Sequence, residues 1–372
     1  MIPREILEGR WRAAQAALVE AGLDALVAAS RGMIGAFGNV FYLCGYAPML
    51  RPAYAVLRQE GEPVLFASSQ TDVALMHEAG AIVEVRSSGA TDARPGSVSM
   101  AEAVVRELRG IGRVGVAGLA DIVSVTDADR FRRDLEAVDA SLLLARVKEH
   151  KSAWELDRVR DAFTLAGLAY DAGAALLAPG VRAQEVVAEL ERVLRANGAL
   201  ELLVFVDSAV PFARRVTPTV LRRGDLVTVL VEVATEDGCW VEQGGLFSLG
   251  EPPARAREVA DACYGALAAI RSAVAPGTPV AQVAELAGEF AAAAGLQLGI
   301  NLGHGIGTDH DLPRLVPGAG GVFEEGHVLS VHPNLFDAAA GVGGTVADAL
   351  QLTAHGCESI SGLPYALTTI AE

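Results

Sequence analysis

The feature that most restricts the fold of this 372-residue chain is an internal duplication. Ala178-Pro179-Gly180 is followed by a run of helical periodicity that stops at Gly198. Ala275-Pro276-Gly277 is followed by a similar run that stops at Gly295, with the same number of residues from first glycine to last. Each Pro-Gly sets a turn between two helices, and each later glycine is placed as a helix stop. Strand-like pairs follow each time, at 226–234 and 239–248, then at 327–335 and 344–353. Two αα–ββ halves predict a duplicated domain with pseudo-two-fold symmetry, its strands forming one curved sheet covered by helices. The period is too long for a solenoid, whose repeats run about 20–50 residues.

The part before this duplication alternates helix and strand patterns. Residues 4–22 are amphipathic and end at Gly22. Ala25-Leu26-Val27-Ala28 is a short apolar strand, and Tyr54–Leu57 with Pro63–Phe66 forms a hairpin around Glu60-Gly61. Met100–Leu108 is helical and Arg113–Ala117 is a strand. Strands alternating with helices predict an α/β layer. At Ser152-Ala153-Trp154-Glu155 a hydroxyl and a carboxylate stand three residues apart, the spacing that satisfies free N–H groups at a helix start. The expected division is therefore an α/β domain over 1–148 and the duplicated domain over 149–372, an α/β (α+β) chain overall.

Half of the residues are apolar (51%), ample for two cores. No run of about 18 uncharged apolar residues is present, so no membrane span is expected. Met1-Ile2-Pro3-Arg4-Glu5 lacks the basic-then-apolar pattern of a signal peptide, which predicts a cytoplasmic protein. A net charge of −16 argues against nucleic-acid binding, which needs basic surface. Cys44, Cys239, Cys263 and Cys357 are far apart and read as reduced, buried thiols.

Chemistry concentrates between Gly303 and Pro333: Gly303-His304-Gly305-Ile306-Gly307, His310-Asp311-Leu312-Pro313, and Glu325-Gly326-His327 through Ser330-Val331-His332-Pro333. These motifs, with Gly224-Asp225-Leu226-Val227, Asn39–Tyr46 and the Val147–Ala162 segment, resemble the creatinase/aminopeptidase P/prolidase group over residues 8–365. The resemblance implies a creatinase-like N-terminal domain and a C-terminal pita-bread domain. In the peptidases of that group, two aspartates, a histidine and two glutamates hold two metal ions.

Carried over residue by residue, that ligand set is broken. The first aspartate falls on Leu230 and the second on Glu242, where creatinase also has a glutamate. The histidine matches His304. The two glutamates fall on His332 and Ala347. Glu232, two residues beyond Leu230, points to the same strand face and is either a displaced acid or an exposed strand residue. Without bridging carboxylates, two cations have nothing to hold them close together. Glu242, His304 and His332 still form a two-histidine, one-carboxylate set suited to a single Zn or Fe ion. The alternative is a cavity of acids and bases with no cofactor, as in creatinase.

His310 matches the group's second, substrate-facing histidine, although its loop is one residue shorter than usual. His327 is an odd number of strand positions from His332 and is expected to face away. The acid/base histidine of creatinase maps to Arg215, which stays protonated but offers a planar fork to an anion. Arg51 lies near the position of a creatinase arginine that enters the partner subunit's site, which implies a homodimer. The leading expectation is an enzyme acting on a small anionic, amino-acid-like molecule. It binds through Arg51, Arg215 and Glu232, with proton transfers by Glu242, His304, His310 and His332 for C–N hydrolysis or elimination. The alternatives are a mononuclear metalloenzyme and a non-catalytic peptide- or ligand-binding pseudopeptidase. Nucleic-acid and membrane partners are not expected.

Overall fold

The structure, a computed structural model, describes residues 2–32, 35–48, 51–78, 81–92, 97–208 and 218–371. It divides into two compact units, Met1–Lys148 and Glu149–Glu372.

The N-terminal unit is built on a six-stranded sheet. Its strand order is Glu84–Ser87, Val64–Ala67, Ala53–Arg58, Ala25–Ser30, Val114–Ala117 and Val138–Asp139. Ala25–Ser30 is buried at every position and pairs antiparallel with Ala53–Arg58 and parallel with Val114–Ala117. A strand covered on both faces needs apolar side chains throughout, which explains its lack of alternation. The helix Arg4–Ala21 ends where Gly22 adopts φ 64°, a left-handed conformation that costs glycine little. Asn39–Tyr46, quoted above as a motif, lies on and just beyond the short helix Gly38–Cys44.

In the C-terminal unit, the predicted capping box is present. Ser152 Oγ accepts from Glu155 N while Glu155 caps the Ser152 backbone, opening the helix Ala153–Ala174. This helix and Ala183–Ala196 pack on a sheet ordered Thr368–Ile370, Trp240–Leu249, Leu226–Ala234 and Glu201–Asp207. In the second half, Ala254–Ala273 and Gln282–Ala293 cover the later strands, and their apolar faces form one core with Leu329, Val331, Leu335 and Leu350.

Two expectations need correction. The segment 327–335 is not one strand: it divides into Val328–Val331 and Asn334–Asp337. Pro333 sits at the break, where it has no N–H to give a ladder. Likewise 344–353 divides into Val342–Thr345 and Asp348–Thr353. The two pieces of each segment join different sheets. Val328–Val331 pairs with Gly303–Ile306 and Asp348–Thr353, whereas Asn334–Asp337 pairs with Gln297–Leu298 and Val342–Thr345. In place of one continuous sheet, the described residues of this unit form sheets of four, five and three strands, and a bridge between Gly244 and Ala347 ties the first half to the second.

Candidate active site

A cavity of about 260 Å³ opens among the strands of the C-terminal unit. Its walls include Leu230, Glu232, Glu242, His304, His310, Arg314 and His332, and its lining draws on strands and their connections in both halves. Helices therefore supply the core behind the sheets, and the strands supply the chemistry.

Strand register creates the acidic wall. Glu232 and Glu242 are directly opposite each other on adjacent antiparallel strands, both with buried side chains. Two carboxylates facing each other across a ladder repel. Burial, and after it the charge of Glu242, push the Glu232 pKa well above its usual value and favour the protonated carboxyl.

Glu242 takes the opposite course. Burial disfavours its charge, but His304, and after it His332 and His310, more than offset this and hold Glu242 well below its usual pKa. Its Oε1 lies 2.8 Å from His304 Nε2, and its Oε2 accepts from Ser330 Oγ at 2.8 Å. Burial lowers the affinity of His304 for a proton, yet Glu242 and the Gly305 carbonyl raise its pKa to about 9. The Gly305 carbonyl is 2.9 Å from Nδ1, where an N–H donates to it and orients the ring. A buried ion pair is the result.

His310, on the strand His310–Arg314, stacks on His304 with ring centroids 4.2 Å apart, despite its short loop. Its Nε2 lies 3.5 Å from Glu232 Oε2 and 3.6 Å from Glu242 Oε1. Burial and His304 lower its pKa. His332 Nε2 lies 3.8 Å from Glu242 Oε2, and burial drives its pKa down to about 4. Both imidazoles are thus neutral at pH 7. Glu232 Oε2 and His310 Nε2 are buried without a conventional hydrogen bond among the described residues. Such atoms mark a site shaped for a ligand, since unsatisfied burial is costly.

The backbone holds this geometry by close approach. A Cβ on Gly305 would come within 1.8 Å of the Leu312 carbonyl oxygen, so only glycine lets the His304 and His310 strands meet as they do. The pairing shifts register between His304 and Gly305, which aims His304 at Glu242.

Two of the five positions to which the resemblance assigns metal ligands, Leu230 and Ala347, offer no ligand atom. Leu230 Cδ1 lies 2.6 Å and Ala347 Cβ 3.3 Å from the place where a Gly244 Cβ would stand. The positions due to carry two carboxylates thus make an apolar wall around Gly244. Two groups of ligand atoms do lie within 4.8 Å of one another, Glu242 with His304 and His332 and Glu242 with Glu232 and His310, and Glu242 is common to both.

Of the predicted site residues, Glu232, Glu242, His304, His310 and His332 share this cavity. Arg215 lies outside the described residues. Arg51 is exposed in the N-terminal unit, where it lines a separate cavity of about 360 Å³ with Tyr46, Ser68, Ser69 and Asp72. His327 turns away from the cavity, toward Glu149 and His150. Arg314 was missed: it is an exposed residue that lines the cavity and pairs with His304 across the hairpin. No disulfide joins the four cysteines, three of which are buried and Cys357 partly so.

Sheets of two duplicated halves around a histidine–carboxylate cavity define a pita-bread domain, preceded by a creatinase-type N-terminal domain. The chain belongs to metallopeptidase family M24, whose model matches residues 157–354, and a creatinase/prolidase N-terminal domain model matches residues 10–149. An uncharacterised hydrolase/peptidase of Sinorhizobium fredii, y4tL, is 24% identical across 100% of this chain and 98% of its own. The crystal structure of dipeptidase PepE from Mycobacterium ulcerans superposes with a TM-score of 0.81 at 24% identity, covering 99% of each chain. The Xaa-Pro dipeptidase from Bacillus anthracis also gives 0.81, at 19% identity over 98% of this chain and 100% of its own.

Proposed function

We propose that this cavity performs acid–base catalysis on a small anionic, amino-acid-like substrate and breaks a C–N bond without the dinuclear centre. What supports the reading is the geometry of the cluster, with His310 Nε2 3.5 Å from Glu232 beside the 2.8 Å Glu242–His304 contact, together with opposed shifts: Glu232 raised by burial, His310 and His332 lowered by burial. Titratable groups whose environments push their pKa values apart can divide acid and base roles at one pH. In hydrolysis, His310 takes a proton from the attacking water, the C–N bond breaks, and Glu232 gives its proton to the leaving nitrogen. The 3.5 Å His310–Glu232 contact then returns the proton from imidazolium to carboxylate and closes the cycle. Arg314 offers a planar fork to the substrate's anionic group.

The test is turnover of N-acyl, N-carbamoyl and guanidino amino acids by protein stripped with a chelator. Activity should persist, and His310→Ala or Glu232→Gln should lower kcat by about 10²–10⁴-fold. Unchanged turnover in His304→Ala and His332→Ala would remove the proposal.

A second reading has one observation in its favour. His304 Nδ1 faces a backbone carbonyl and its Nε2 faces Glu242, the orientation that outer contacts impose on metal-ligating histidines. Glu242, His304 and His332 would hold one zinc or iron ion, which would polarise a carbonyl or activate a water. Elemental analysis of protein purified without added metal or chelator separates the two readings: far less than one equivalent, with no activation by zinc, iron or manganese, excludes the second.

A further inference from the structure

Outside the cavity, a second group of ligand-type side chains converges where the start of the C-terminal unit meets the turn before strand Val328–Val331. His150 Nε2 lies 3.3 Å from Glu324 Oε2, and the His150 and His327 rings are 5.1 Å apart. One ligand atom each from His150, Glu324 and His327 falls within 4.8 Å of the other two. Glu149 Oε2 stands 3.8 Å from His327 Nε2.

Two details point to a cation. The first is the His150 tautomer. Its Nδ1 is 3.2 Å from the Glu325 carbonyl, so in the neutral ring that donates there the Nε2 lone pair faces the Glu324 carboxylate. Two acceptors at that distance repel unless a proton or cation stands between them. Their 3.3 Å separation matches the edge of a tetrahedron with bonds of about 2.0–2.1 Å. The second is His327. It is 2% exposed, and its Nε2 is buried without a hydrogen-bond partner among the described residues. Its Nδ1 accepts a long hydrogen bond from the Glu324 N–H at 3.4 Å, weak enough for a cation on Nε2 to reverse the tautomer.

We propose that His150, Glu324 and His327 form a second, structural cation site that takes a borderline divalent ion, zinc foremost, with Glu149 or water completing the shell. Two imidazoles and a carboxylate are a donor set of that type. His150 and Glu324 are half exposed, so the ion has a path from solvent. Bound there, it would clamp the segment entering the helix Ala153–Ala174 to the turn that leads into the strand before His332. These are parts of the chain about 175 residues apart, already joined by the Lys151 N to Gly326 O bond.

The test is calorimetric titration of the chelator-stripped full chain with zinc chloride, alongside His150→Ala and Glu324→Gln. Both variants alter half-exposed side chains, so folding is not at stake. The parent should bind one equivalent more than either variant, or bind that equivalent about tenfold tighter or better. Zinc should also raise the melting temperature of the parent by more than that of the variants. Cobalt(II) added to the parent should show the intense visible bands of a four-coordinate ion, and these should be lost in His150→Ala. Equal stoichiometry and affinity in the parent and both variants, or no zinc binding by the parent outside the cavity ligands, would overturn the proposal.

Discussion

Glu242 and His304 form a buried ion pair, Oε1 to Nε2 at 2.8 Å, with side chains 2% and 6% exposed. Each sits on a different half of the duplicated domain, so the pair exists only when both halves fold against each other. Removing one partner leaves an uncompensated buried charge, which is costlier than the net worth of the pair.

Glu242→Gln should therefore lower stability by about 3–5 kcal/mol near pH 6. The pH dependence has a definite sign. His304 has a folded pKa raised from 6.5 to about 9, so its contribution is fully present below pH 6.5 and is lost as pH rises through 9. Glu242 is depressed, so its contribution is present above pH 4.5 and is lost only as pH falls through its lower folded value. The penalty of Glu242→Gln should thus shrink between pH 6.5 and pH 9.5. Denaturant melts of both proteins at the two pH values check this, and a constant difference would refute it.

Gly305→Ala should be among the most damaging small substitutions. The added methyl group meets the Leu312 carbonyl at 1.8 Å, and backbone on both sides cannot yield cheaply. A loss of about 3 kcal/mol or more is expected, with His310 moved off His304. Thermal unfolding and the histidine proton resonances report the two effects separately.

Arg314→Ala should raise KM for an anionic substrate about 10- to 100-fold, the range for a lost charged hydrogen bond, with a smaller change in kcat. Arg314→Lys should recover only part, since a lysine lacks the planar fork. Equal KM values in all three proteins would show that the guanidinium does not face the substrate.

The triple variant Leu230→Asp, His332→Glu, Ala347→Glu supplies carboxylates at the positions where the family resemblance expects them. Without metal it should be several kcal/mol less stable than the parent, because buried carboxylates stand unpaired. With manganese it should regain stability and bind two equivalents, measured by elemental analysis after gel filtration. A variant that gains no metal would show that the wall around Gly244 is closed to a second ion.

Much of the architecture was legible in the chain because its signals are local. Pro-Gly turns, the Ser152–Glu155 capping box and the glycine stops each act through hydrogen bonds or torsions within a few residues. Glu232 could be placed on the face of Leu230 by strand alternation alone, and it does line the cavity. The break at Pro333 was missed because an apolar run does not reveal that its two pieces pair with different sheets. Arg314 was missed because an arginine after a proline looks like any surface cation until His304 is seen opposite it.

By itself, the sequence determined the order of elements and the duplication, both properties of residue identity and short-range spacing, and through the family resemblance it placed Leu230 and Ala347 where carboxylates are expected. Only the tertiary structure decided which proton each group carries. Glu232 and Glu242 are the same residue type on facing strands, yet burial and the neighbouring carboxylate raise the pKa of the first, while His304 pulls that of the second down against its burial. The difference comes from what packs around them: desolvation and the distance to His304 are set by segments about 60–70 residues away along the chain, and no local pattern encodes them.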